Sequence, residues 1–115
     1  MNTAGMEVVI PFQAAYALLQ DAAERDRTTA RRTTLTEILW HERYLSRENL
    51  MERVEQRLGV GCFGDSAWED TFNRDMQAVK EAFSRCEEAL AFSRTKGQAG
   101  YYLRGQAALH EEIQN

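Results

Sequence analysis

The chain has 115 residues, one domain's worth of polypeptide, with 43% hydrophobic and 28% charged side chains. That balance excludes a disordered chain and a disulfide scaffold, and no run approaches the roughly 18 to 20 apolar residues of a membrane helix. The net charge of −4 counts at first against a polyanionic partner, because electrostatics supplies most nonspecific affinity for nucleic acid.

The distribution of charge says more than its sum. From Arg31 to Gly105 there are twelve basic residues (Arg31, Arg32, Arg43, Arg47, Arg53, Arg57, Arg74, Lys80, Arg85, Arg94, Lys96, Arg104) and twelve acidic ones, so the deficit lies in the two ends. Ser93 to Arg104 carries Arg94, Lys96 and Arg104 with no acid, a local positive stripe where an anion docks first. The start, Met1 to Gly5, has no basic lead into an apolar stretch, so a cytoplasmic protein is the expectation. Cys62 and Cys86, like His41 and His110, have no neighbour at zinc-site spacing; both cysteines read as reduced and structural, and neither a metal nor a cofactor is expected.

In chain order, residues 1–10 read as a flexible or short extended terminus, and Pro11 opens a leading helix assigned to 11–29. Phe12, Ala15, Tyr16, Leu19, Ala22 and Ala23 recur at three- and four-residue spacing, one apolar stripe that runs to about Asp26. A second helical pattern spans about Ala30 to Arg43, with Leu35, Ile38 and Leu39 on one face and Trp40 at its edge. Thr28 and Thr29 either cap this helix or lie inside a continuous rod.

Ser46 stands directly before a third pattern, Leu50, Met51, Val54 and Leu58, and Gly59 ends it. Val60 to Asp65 reads as a loop, after which Ser66 or Asp65 caps a fourth helix, around 67–83, with the stripe Trp68, Phe72, Met76, Val79 and Phe83. Leu90, Phe92 and Arg94 then alternate with Ala89, Ala91 and Ser93 as a strand does; Thr95 to Ala99 is the turn, and Gly100 to Arg104 a second strand. Residues 106–115 read as a tail or short helix. The fold expected for 30–105 is mainly α with a small β-hairpin, a winged helix-turn-helix with an additional N-terminal helix.

The run from Leu35 to Arg104 resembles the N-terminal DNA-binding domain of the WYL-domain bacterial transcriptional regulators, over about two thirds of the chain. The likeness rests on Arg57-Leu58-Gly59, on Phe72-Asn73-Arg74-Asp75-Met76 followed by Val79, and on Gly100-Tyr101-Tyr102-Leu103. It implies a major-groove helix carrying Arg74 and a wing, Thr95 to Gln98, on the backbone or minor groove. Two departures stand out: the connection beginning at Gly59 is several residues longer, and the sequence stops at Asn115, before those regulators' ligand-sensing domain, so effector sensing is not carried over.

The residues themselves lead to the same surface. A helix that buries Phe72, Met76, Val79 and Phe83 turns Asp70, Arg74, Gln77 and Glu81 outward, with Thr71, Asn73 and Lys80 at its flanks. Arg74 can bond bidentately to guanine, and Asn73 or Gln77 to adenine. The bland reading makes Arg74 and Asp75 an exposed ion pair, with Asp75 in either case orienting an arginine rather than touching DNA. For the wing, Arg94, Lys96 and Arg104 either meet DNA, with Thr95 and Gln98 beside them, or are the charged edges of a solvated hairpin that discourage aggregation. Trp40, Trp68, Tyr101 and Tyr102 are expected in the core. The leading helix either covers the core or pairs through Phe12, Tyr16 and Leu19 with a second copy, giving the two-fold arrangement that palindromic operators require.

The expected function is therefore sequence-specific binding of double-stranded DNA in transcription regulation, with the wing around 94–101 and a homodimer as the working assembly. The alternative is a winged helix used only for protein contacts. No phosphate loop, nucleophile with adjacent base, or paired carboxylates suggest an enzyme.

Overall fold

The structure, a computed structural model, describes residues 12–105. The readings of 1–10 as an extended terminus, of Pro11 as a helix opener, and of 106–115 as a tail or short helix lie outside the described residues. The chain is mainly helical with one antiparallel hairpin: α1 (Phe12–Arg25), α2 (Arg27–His41), α3 (Arg47–Leu58), α4 (Trp68–Ser84), β1 (Leu90–Ser93) and β2 (Gly100–Leu103).

The first two helices are separate. Asp26 adopts an extended conformation between them, and its carboxylate accepts from the Thr29 N–H at 3.1 Å, so the cap of α2 is Asp26 and neither Thr28 nor Thr29. α2 thus begins at Arg27, ahead of the expected Ala30. The chain reverses at this corner, since Tyr16 and Gln20 of α1 both donate to Glu37 of α2.

α3 starts as its sequence predicts, with Ser46 Oγ accepting from the Asn49 N–H at 3.0 Å, and ends at Gly59 with φ 105°, a conformation that favours glycine. The residue at the cap of α4 is Ala67, with no side-chain bond, so neither Ser66 nor Asp65 caps that helix. Glu69 and Asp70 in its first turn complement the positive helix end instead. α4 ends where Glu87 takes a left-handed φ of 64° and the Glu88 N–H donates back to the Phe83 carbonyl at 3.0 Å, which turns the chain into β1.

α2 is the central element, packed against α1, α3, α4 and β2, while β1 rests on α4. The core joins Leu35, Ile38 and Leu39 of α2, Leu50 and Val54 of α3, Phe72, Met76, Val79 and Phe83 of α4, and Leu103 of β2. The long connection 59–67 is not a free loop, because it buries Cys62 and Phe63, the latter 6.0 Å from the Phe72 ring. Trp68 and Tyr101 pack against this core as expected. Trp40 does not: it is 37% exposed, because the face of α2 that meets α3 and α4 is the one bearing Leu35, Ile38 and Leu39. Cys86 is exposed too, so of the two free cysteines only Cys62 has a structural place, and burial pushes its thiol pKa up.

Candidate nucleic-acid interface

The hairpin pairs Leu90 with Leu103 and Phe92 with Tyr101. It is tied to the helices by the segment between α2 and α3. The Tyr44 and Leu45 N–H groups donate to the Tyr101 carbonyl at 2.7 and 3.2 Å, and the Tyr101 N–H donates to Leu45 O at 2.8 Å. Arg43 Nη1 donates to the Leu103 carbonyl at 3.0 Å, and its guanidinium lies over the rings of Tyr44 and Tyr102 at 5.4 and 5.1 Å. Tyr102 is therefore half-buried in this stack, on the strand face opposite the one that Leu103 uses. These bonds fix the direction in which the wing projects.

Gly100 permits that contact. A Cβ at this position would lie 2.6 Å from the Leu45 nitrogen and 2.6 Å from the Tyr44 carbonyl carbon. At the other end of the hairpin, the Gln98 N–H closes the turn onto Thr95 O at 2.9 Å, and Ser93 Oγ accepts from the Thr95 N–H at 3.2 Å.

On α4, Asn73, Arg74, Gln77 and Lys80 are all exposed, and Gln77 stands four residues after Asn73, three after Arg74 and three before Lys80, so the helix carries them as one strip. Thr71 is half-buried, three residues before Arg74 and on the flank away from Asn73 and Lys80. Arg94, Thr95, Lys96 and Gln98 are exposed together around the turn, and the Arg94 guanidinium lies 5.7 Å over the Phe92 ring. Asp70 and Glu81 stand exposed beside Arg74 and Gln77.

Asp75 departs most from expectation. It is 1% exposed, and instead of making a surface pair with Arg74 it accepts from Arg31 Nε at 2.6 Å and Arg32 Nε at 2.9 Å. Arg31 also donates to the Cys62 carbonyl at 3.2 Å and lies over the Phe63 ring at 5.7 Å, so one carboxylate locks α4, α2 and the 59–67 connection together. Asp75 does orient arginines, but as an internal tie. The exposed-pair reading of Arg74 and Asp75 falls, and Arg74 has no acidic partner among the described residues.

Commitment of charge divides the molecule. Of the six arginines on α2 and α3, Arg31, Arg32, Arg47, Arg53 and Arg57 hold a carboxylate, from Asp75, Glu69, Glu42 or Glu37, and Arg27, exposed at the start of α2, has no ion-pair partner among the described residues. On α4 and beyond, Arg74, Lys80, Arg85, Lys96 and Arg104 are exposed, and none has an ion-pair partner among the described residues. Arg104 belongs to the acid-free stripe that the sequence picks out, whereas Arg85 is not among the expected contacts, because Glu87 and Glu88 mask it.

In comparisons with known proteins, no protein family, curated protein or solved structure matches the chain. No helix among the described residues is long and apolar enough to cross a membrane.

Proposed function

We propose that the chain binds duplex DNA in the manner of a winged helix, as a bacterial-type transcriptional regulator acting in the cytoplasm. α4 enters the major groove with Arg74, Asn73 and Gln77 toward base edges, and the wing from Arg94 to Gln98 meets the backbone or minor groove. The carrying observation is the set of uncommitted cations on α4 and the hairpin, in a molecule where five of the six arginines of α2 and α3 are occupied by carboxylates and Arg27 is the exception. Free cations are the groups that release condensed counterions when they meet phosphates. The order of three packed helices followed by a tethered hairpin supports the same reading, as does the resemblance noted in the sequence.

Asp70 and Glu81 on the same strip oppose phosphate contact, so affinity rests more heavily on the wing and on the flanking Lys80 and Arg85. They also favour a second reading, a winged helix that meets only a partner protein through its mixed face. Selection of bound duplexes from a random pool at two salt concentrations separates the two. Enrichment of a motif that persists at the higher salt supports base reading by α4; no retention at either salt favours the protein partner.

A further inference from the structure

α1 buries none of its residues, and a helix of this length is marginal on its own in water. Its described polar contacts to the body run through Tyr16 and Gln20 to Glu37. Its large apolar side chains stay open, with Phe12 76%, Leu18 68% and Leu19 42% exposed, while Ala22 and Ala23 are half-buried. Leu18 extends the stripe beyond the Phe12, Tyr16 and Leu19 set that periodicity picks out.

Two features of this face specify what covers it. From Phe12 to Gln20 no residue is charged, in a chain that is 28% charged, so this surface meets an identical surface without placing like charges together. The seam formed by Ala15, Leu18, Leu19 and Ala22 also reads the same in both directions, alanine, two leucines, alanine, at spacings of three, one and three. A two-fold axis that crosses the helices makes their contact antiparallel and pairs residue i with j and j with i, so a seam of this kind is complementary to itself in that arrangement. An unrelated partner places no such demand on it.

We propose that α1 packs antiparallel against α1 of a second copy, about a two-fold axis midway between Leu18 and Leu19. Ala15 of each chain faces Ala22 of the other, which lets the helices approach closely, and the two leucines and their copies fill the centre. Tyr16 stays on the inner edge, bound to Glu37, and Phe12 closes the rim. This surface is distinct from α4 and the wing, so the proposal stands or falls separately from DNA binding.

Sedimentation equilibrium of the full chain without DNA, over a concentration series into the high micromolar range, tests it. The wild type is expected to approach twice the 13.2 kDa chain mass, and Leu18→Glu and Leu19→Glu to stay at that mass. Neither variant should change the melting temperature measured on the monomer at low concentration, because neither side chain is buried. In a Cys86→Ser background, Leu19→Cys should cross-link to its own copy faster than Ala15→Cys does. A wild type monomeric throughout overturns the proposal, as does a dimer indifferent to both glutamates. Faster self-linking at position 15 overturns the antiparallel arrangement.

Discussion

Arg31 of α2 and Asp75 of α4 form an ion pair at 2.6 Å in the interior, where Asp75 is 1% exposed. Removing one partner of such a pair leaves an uncompensated buried charge. Asp75→Ala is therefore expected to cost about 3–5 kcal/mol, read from the urea midpoint, whereas Arg74→Ala, next in the chain but solvated, should change stability by less than about 0.5 kcal/mol. Equal effects would show that the carboxylate does not tie the helices together.

That contrast marks what the sequence carries. Ser46 and Gly59 bound α3 through local chemistry, a hydroxyl facing free N–H groups and a residue tolerant of positive φ, and such signals are readable without tertiary knowledge. The hairpin is legible for the same reason, in the alternation around Phe92 and the aromatic run after Gly100. Asp75 is not: three residues after Phe72 and four before Val79 it falls on the apolar face, but its partner Arg31 stands 44 residues away, and nothing local names the arginine that satisfies it. Phe63 is hidden in a glycine-rich stretch whose composition reads as loop, although it buries a ring against Phe72. Among the proposed contacts, the exposure of Arg74 and Lys96 is legible from patterning, but that neither is held in an ion pair among the described residues depends on how the chain folds.

Gly100 carries the junction of wing and body. Its φ of 132° and the contacts awaiting a Cβ mean that Gly100→Ala must push Tyr44 and Leu45 off the hairpin. A loss on the order of 2–4 kcal/mol is expected in chemical denaturation. Gly97 is the control: its φ is 86°, but a Cβ there meets nothing within 4 Å, so Gly97→Ala should cost only about 1 kcal/mol of backbone strain. If both alanines cost the same, the Leu45–Tyr101 bonding does not anchor the wing.

The thiols should differ in reactivity. Cys86 is exposed and free, whereas Cys62 is buried with its pKa raised by that burial, which keeps it protonated and shielded at neutral pH. One thiol per chain should react promptly with a disulfide reagent under native conditions, and the second only as the chain opens. Asp75→Ala, by loosening the Arg31 contact to the Cys62 carbonyl, should accelerate the slow thiol. Prompt reaction of both in the wild type would show that the 59–67 connection does not seal the core.

Asp26 makes the α1–α2 corner sensitive to acid. The Thr29 hydroxyl and N–H both bond its carboxylate, holding its pKa below the ordinary 3.8. A carboxyl whose folded pKa is lowered contributes stability that is complete above the unfolded value and disappears as pH falls through the folded one. Asp26→Asn keeps a capping acceptor but cannot titrate. The stability difference between wild type and Asp26→Asn should therefore narrow below the ordinary carboxylate range, as followed by urea midpoints across a pH series. A constant difference down to the lowest pH would mean that the cap does not depend on the charge.

Arg74 and Lys96 should fail differently when removed. Arg74 lies on α4 with no acidic partner among the described residues, so Arg74→Ala is expected to cost about 1–3 kcal/mol on the best duplex and to relax the choice of base at one position. Lys96, exposed at the turn, contacts charge rather than sequence in this proposal. Lys96→Ala should weaken binding to all duplexes alike and lower the slope of log affinity against log salt by about 1. Titrations of a selected and a scrambled duplex at several salt concentrations distinguish the two effects. If Arg74→Ala weakened both duplexes equally, α4 would be a backbone contact and not the reading element. If neither variant altered binding, the DNA-contacting surface would lie elsewhere on the molecule.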